Sequence, residues 1–391
     1  MLLLDMRRSA TSRMVGPPLP PRRQYTGTPK RTPLRAAMSN EKMPSDIVAT
    51  KILGMKNAMQ SRPSRRHVLL TLSSATGASL VGAPGLFAQR DGLETSTIRL
   101  VKIPGICVAP QYIAEDLLKA EGFTTVEYFD APRPGDQYTS FAAGKFDITM
   151  AFVAPFILQV DSGVPIVLLC GIHAGCFELI GTERVRSIRD LKGKTVAVPD
   201  LGGAHHTFVA SMASYVGVDP KQDINFVTLP VPESIQLLAA GKIDALMGFP
   251  PVPQELREKK IGHVIVTSGL DRPWSQYFCC TVAAHSEFVR KNPIATKRAL
   301  RAIVKAANFC AAEPERAARL IADKGYRYDY ALQTMREIRY ARWQDYDPED
   351  TVRFYALRLR EAGMIKSTPQ KIIADGTDWR FFNELKRELK G

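Results

Sequence analysis

The chain reads as an α/β protein of two lobes, each a β-α-β-α-β unit on a parallel-sheet pattern. Two extended crossing strands join the lobes, and helices follow at the C-terminal end. The first ground is an internal repeat. "FAAGKFDITMAFVAP" begins at Phe141 and "LAAGKIDALMGFPPVP" at Leu238, so their Gly-Lys-x-Asp elements start at Gly144 and Gly241, 97 residues apart. Each glycine closes an apolar helical run and suits a helix C-terminal cap, where positive φ is wanted. Asp147 and Asp244 then open short apolar strands that run into proline. The second ground is that the match extends backwards. "TIRLVKIPG" at Thr97 parallels "KTVAVPDLGG" at Lys194, helical patterns follow at about 110–120 and 204–216, and strands "TTVEYF" and "INFVTL" come next. The third ground is a pair of extended stretches. Residues 164–185 read as a strand, a break at 171–175 and another strand, and residues 262–285 read similarly.

From about Ser286 the pattern is helical: "PIATKRALRAIVKAANFCAA", "PERAARLIADKG", "DPEDTVRFYALRLREAG" and an amphipathic piece around 379–389. Asp347 and Pro348 suit the N-cap and first turn of the third of these. The domain reading follows: residues 91–178 and 279–391 form lobe 1 with the C-terminal helices, and residues 179–278 form lobe 2.

A length of 391 residues, 45% hydrophobic and 24% charged, predicts ordinary globular cores in two or three domains. The net charge of +14 is concentrated at one end. Residues 1–90 hold 15 basic and 3 acidic residues, and the remainder hold 38 and 36. The body is therefore nearly neutral and shows no basic stripe with interleaved aromatics, which argues against a nucleic-acid partner. Residues 1–60 read as an Arg/Pro-rich extension or a mis-assigned start, with Met43, Met55 and Met59 as candidate starts. Within 61–90, Ser64, Arg65 and Arg66 precede a weakly apolar run with small residues near Ala88. This is a twin-arginine-type signal pattern, with Val68 where phenylalanine is usual. The run is too polar for a good membrane span, and no cysteine follows it to carry a lipid.

Six cysteines fall at 107, 170, 176, 279, 280 and 310. No zinc spacing is present, and adjacent Cys279 and Cys280 on a strand should point to opposite faces. The expectation is six buried thiols with no metal site, no cofactor and no catalytic role.

Ligands of open parallel sheets lie beyond the carboxyl ends of the strands. Those ends fall at 104–110 and 151–155 in one lobe, and at 199–206 and 248–253 in the other. "VAVPDLGGAHHTFVASMASYVG", from Val196, is a Gly-rich turn opening a helix. It lacks the lysine of a P-loop, and adjacent His205 and His206 cannot chelate as an i, i+4 pair would. Free N–H groups at such a terminus attract an anion or a carbonyl oxygen, worth roughly 0.3–1 kcal/mol. The candidate ligand-binding set is Gly202, Gly203, Ala204 and His205 from one side, and Ile106, Cys107 and Ala154 from the other, with Phe249 and Tyr277 as aromatic walls. Trp274 reads as core, and Arg133 and Arg272 as surface cations near the cleft loops. No Ser-His-Asp order, HExxH or carboxylate pair stands out, so the chain is read as a binding protein and not an enzyme.

"APQYIAEDLLKAEG", "AAGKFDI", "DLKGKTVAVP", "VGVDPKQDINFV", "LAAGKIDALMGFPP" and "FVRKNPIATKRALRAIVKAANFCAAEPERAARLI" together resemble one family. It is the periplasmic solute-binding proteins of nitrate/sulfonate/taurine-type ABC importers, the SsuA/THI5-like (NMT1) group. The resemblance covers about 97–325. It implies a type II periplasmic-binding-protein fold and a monomer in the periplasm. It also implies a small-molecule ligand and ABC permease transmembrane subunits as partners. Relatives often carry Ser or Thr where this chain has Gly202, Gly203 and Ala204, and His205 is the replacement donor. The alternative is a THI5-like pyrimidine-precursor synthase or a thiamin-precursor binding protein. The synthase branch uses a Cys-rich motif, of which "YFCCTVAAH" holds only Cys279 and Cys280.

Overall fold

The computed structural model describes residues 92–131 and 135–389; the leader with Arg65 and Arg66, and Arg133, lie outside them. Lobe 1 begins with β1 (Thr97–Val101), α1 (Ala109–Ala120), β2 (Thr125–Phe129), α2 (Asp136–Ala142), β3 (Ile148–Phe152), α3 (Val153–Asp161) and β4 (Ile166–Ala174). The chain crosses to β5 (Glu178–Gly181), then β6 (Lys194–Val198), α4 (Ala204–Tyr215), β7 (Ile224–Thr228), α5 (Val231–Ala239), β8 (Ala245–Gly248), α6 (Val252–Lys259) and β9 (His263–Thr267). It returns through β10 (Phe278–His285) to α7 (Ser286–Lys291), α8 (Pro293–Ala312), α9 (Pro314–Ala322), α10 (Tyr328–Glu337), α11 (Pro348–Glu361), α12 (Pro369–Gly376) and α13 (Arg380–Glu388).

The repeat is visible in the hydrogen bonding. Gly144 and Gly241 adopt φ of 68° and 66°. The N–H of each closes its helix, onto Phe141 O at 2.9 Å and Leu238 O at 3.0 Å. Three residues later the aspartates stitch strands together. The Asp147 N–H donates to Arg99 O at 2.9 Å, and the Arg99 N–H donates to Asp147 Oδ2 at 2.9 Å. In lobe 2, the Asp244 N–H donates to Thr195 O at 2.9 Å, and the Thr195 N–H donates to Asp244 Oδ2 at 2.9 Å. An arginine completes each clamp: Arg99 Nη2 lies 2.5 Å from Asp147 Oδ1, and Arg184 Nε lies 2.6 Å from Asp244 Oδ1.

In lobe 1 this seam joins the parallel pair β1-β2 to the antiparallel sheet β3-β10-β4, which gives the spatial order β2-β1-β3-β10-β4. Lobe 2 has the order β7-β6-β8-β5-β9, with β6 parallel to β7 and β8, and β5 antiparallel to β8 and β9. The two orders correspond strand for strand. Each sheet is mixed and not purely parallel, because each lobe receives a crossing strand from the other, β10 or β5.

The break expected at 171–175 begins only at its last residue. β4 runs through Gly171, where the Phe278 ring lies so close that a Cβ would meet it at 2.2 Å. The chain turns at Gly175, with φ of 58° and the backbone of Gly269 packed against it. Asp347 caps α11 by accepting from the Glu349 N–H at 2.8 Å. α11 packs on α3 of one lobe and α4 of the other. α10 and α12 were not picked out in the sequence. Among the described residues no helix is long and apolar enough to cross a membrane.

Asp147 is buried and its carboxylate serves both a backbone N–H and a guanidinium. Asp147→Ala leaves that N–H unsatisfied and Arg99 without its partner, so stability should fall by about 2–4 kcal/mol. Asp244→Ala should cost a similar amount. Urea unfolding of each variant measures this; a loss under about 0.5 kcal/mol in both would show that the seams are not what joins the strands.

Candidate functional site

The loops at the carboxyl ends of β1 and β8 meet. The Ile106 N–H donates to Pro250 O at 3.0 Å, and the Phe249 ring lies over Gly105, where a Cβ would come within 2.7 Å. Gly105 is extended, so the need there is for space. Phe249 in turn lies 5.0 Å from the His205 ring and 5.3 Å from Phe177, between centroids. His205 sits at the first turn of α4 with 8% of its surface exposed. Burial holds its pKa down at about 4, so the imidazole is neutral near pH 7.

The Gly-rich turn is partly closed on itself. Gly202, at φ of 82°, donates its N–H to His206 Nδ1 at 2.9 Å. One of the N–H groups expected to face a ligand is therefore taken. Gly203 caps α4 with the Asp200 carboxylate pressed against it: a Cβ there would meet Asp200 Oδ2 at 2.0 Å. The same oxygen would lie 3.4 Å from a Cβ on Gly135, across in lobe 1. Between them is a cavity of about 410 Å³, lined by Gly135, Asp136, Tyr138, Thr139, Pro155 and Gln159 on one side and by Asp200, Leu201, Gly202 and Gly203 on the other. Among the described residues, the Asp200 carboxylate makes no hydrogen bond or ion pair, and partial burial pushes its pKa up.

The sequence-derived candidates therefore separate. Gly202 and Gly203 line the cavity. Ala204 is the partly buried first residue of α4. Ile106 is buried and reaches the other lobe through its backbone N–H, while His205 and Phe249 pack against each other beside Gly105. Ala154 is fully buried in the first turn of α3, and the next residue, Pro155, reaches the cavity instead. Tyr277 stacks on Phe354 of α11 with centroids 4.0 Å apart. Trp274 is core, and Arg272 is exposed. Asp200 and Tyr138 were not singled out. Asp200 stood within the quoted turn, but its chemistry depends on Gly135, 65 positions away.

Cys107 belongs to a second constellation. The expectation that Cys279 and Cys280 face apart is corrected. One ligand atom from each of His173, Cys176, Cys279 and Cys280 lies within 4.8 Å of every other. The rule that strand neighbours face apart fails here because β10 is irregular against β4 on both sides of Cys280, and a bulge resets the alternation. Hydrogen bonds from the thiols of Cys107, Cys176 and Cys279 pull the Cys280 thiol well below its usual range. Burial, and then contacts with Cys107, Cys279 and Cys280, push Cys176 up. The His-x-x-Cys spacing of His173 and Cys176 was the overlooked signal. Their partners come from a strand about 100 residues on.

The NMT1-like family model matches residues 91–323. The chain belongs to this family. The nitrate/nitrite binding protein NrtA of Nostoc sp. is 20% identical over 279 residues, 65% of this chain and 62% of that protein. The nitrate import ATP-binding protein NrtC of Synechocystis sp. is 30% identical over 273 residues, 63% of this chain and 40% of that protein. This NMT1-like chain thus spans less than two thirds of the length of either relative. Its fold matches the crystal structure of the periplasmic nitrate-binding protein NrtA from Synechocystis, with a TM-score of 0.63 at 15% identity, covering 77% of this chain and 90% of that one. The type II periplasmic-binding-protein fold is therefore the fold of this NMT1-like protein.

Neutral His205 makes stability depend on pH. Its pKa is about 4 folded and 6.5 unfolded, so between those values the unfolded chain binds more protons. Its contribution is complete above about pH 6.5 and is lost as pH falls through 4, amounting to about 3 kcal/mol. Thermal unfolding from pH 7 to pH 4 should show a steep decline that is shallower in His205→Gln. Parallel curves for the two proteins would contradict this.

Proposed function

We propose that this chain is the solute-binding component of an ABC importer, which captures a small molecule between its lobes and delivers it to a membrane permease. The carrying observation is two lobes of corresponding strand order, joined by two crossing segments, with a cavity lined from both. Such a body opens and closes about its crossings, and a ligand that touches both lobes favours the closed form. The names of the relatives, a nitrate/nitrite binding protein and a nitrate import protein, support this reading. The matching fold belongs to a periplasmic protein. Periplasmic location, with residues 61–90 as a twin-arginine-type signal, completes the proposal.

Within the nitrate, sulfonate and taurine class, Asp200 favours a ligand that carries a donor. Its carboxylate stands at the N-terminus of α4, where a bare anion would otherwise sit, and repels a second negative charge. An ammonium or amide group on the ligand would supply the hydrogen bonds the carboxylate lacks, as in an aminosulfonate such as taurine.

Thermal-shift titration of the full chain should show stabilisation by taurine at lower concentration than by nitrate. Asp200→Asn should weaken taurine at least tenfold, about 1.4 kcal/mol, with the unliganded melting temperature little changed. Tighter nitrate binding that is indifferent to Asp200→Asn would overturn the assignment of the donor. Separately, Arg65→Lys with Arg66→Lys should leave precursor in the cytoplasm when fractions are probed by immunoblot; normal periplasmic levels would remove the twin-arginine reading.

A further inference from the structure

We infer that His173, Cys176, Cys279 and Cys280 form a binding site for a thiophilic cation of the zinc class, placed where the two crossing segments meet. The four donor atoms lie within 4.8 Å of one another, and Cys176 Sγ is 3.2 Å from Cys279 Sγ without a bond between them. A tetrahedral zinc site with Zn–S near 2.3 Å needs donors about 3.7 Å apart. Side-chain adjustment of an ångström or less is enough to meet that geometry. Three sulfurs and one imidazole are the donor set that such cations select.

His173 supplies a second, independent observation. Its side chain is fully buried, and among the described residues neither ring nitrogen has a hydrogen-bond partner. A buried imidazole with both nitrogens unpaired is costly in a core. Coordination through one nitrogen would supply a partner for that atom. The ring is held from the side by Tyr340, edge-on with centroids 5.2 Å apart. The loop bearing Cys176 is fixed by Ser268, whose Oγ accepts from the N–H groups of Cys176 at 3.2 Å and Phe177 at 2.9 Å. Cys176 is only partly buried, which gives the cation a route from solvent.

Each crossing provides two ligands: His173 stands near the end of β4 and Cys176 in the turn from β4 to β5, and Cys279 and Cys280 stand where the chain returns into β10. A bound cation would cross-brace the hinge. On binding, each ligand thiol that still carries a proton releases it to solvent, and the imidazole contributes a lone pair from one ring nitrogen.

The full chain, purified under reducing conditions, is titrated with Zn²⁺, and with Co²⁺ as a spectroscopic probe. One equivalent of Zn²⁺ should bind, and Co²⁺ should give thiolate charge-transfer and tetrahedral ligand-field bands. Cys176→Ser and His173→Gln should each weaken Zn²⁺ at least 100-fold, while Cys310→Ser, a buried thiol outside the set, should not. Circular dichroism checks the fold; Cys176, partly exposed, is the position where substitution is best tolerated. Three results would each overturn the site: no stoichiometric uptake by the folded, reduced chain, unchanged affinity in both ligand variants, or a Cys176–Cys279 disulfide in the chain isolated from its native compartment.

Discussion

In each lobe one carboxylate, that of Asp147 buried and that of Asp244 partly buried, takes the place of a backbone carbonyl and ties together two neighbouring strands. Asp147 reaches the Arg99 N–H and Asp244 the Thr195 N–H, while their own N–H groups bond back to the same residues. The first strand of each lobe is thereby locked beside the third, and the loops that follow both are carried to the cleft. The preceding glycine at positive φ sets where the aspartate arrives, because it ends the helix within a single residue. Arg99 also bonds Lys145 O, and Arg184 bonds Gly241 O, so the guanidinium holds the cap as well as the carboxylate. For Asp244, burial pushes the pKa up, but the Thr195 N–H and Arg184 hold it below the usual carboxylate value.

The cleft inherits its form from these seams. Its apolar part, where Phe249 covers Gly105 beside His205, lets two lobes touch with few groups to desolvate. Its polar part keeps one carboxylate, Asp200, which has no partner among the described residues, at a helix N-terminus. A site of this kind selects by what it leaves unpaired: a ligand that offers a donor satisfies Asp200, and one that offers only negative charge does not.

The crossings are the other shared element. They carry the strands that make both sheets mixed, and they hold the thiols and the orphaned imidazole together. The α11 helix, capped by Asp347, leans on both lobes beside them. Motion between the lobes therefore has to pass through a short stretch that includes Gly175, Ser268 and the residues around Cys279.

The repeat of Gly-Lys-x-Asp, the helix caps, the strand–helix alternation and the family were all legible in the chain, because each is local: a period, a turn residue, a cap. The length of β4 was not, since the reason Gly171 can stay in a strand is a ring, Phe278, that arrives more than 100 residues later. Ala154, Tyr277 and Cys107 were expected at the ligand because they stand near strand ends. Tertiary packing sent the first into the core, the second onto Phe354 and the third to other thiols. Adjacent Cys279 and Cys280 obey strand alternation on paper, and only the bulge in β10 turns both toward His173 and Cys176. Periodicity fixes which face a residue shares with its neighbours in sequence; which distant side chain meets it there is decided by the packing of the sheets, and that is why the cavity and the thiol cluster emerge only from the folded chain.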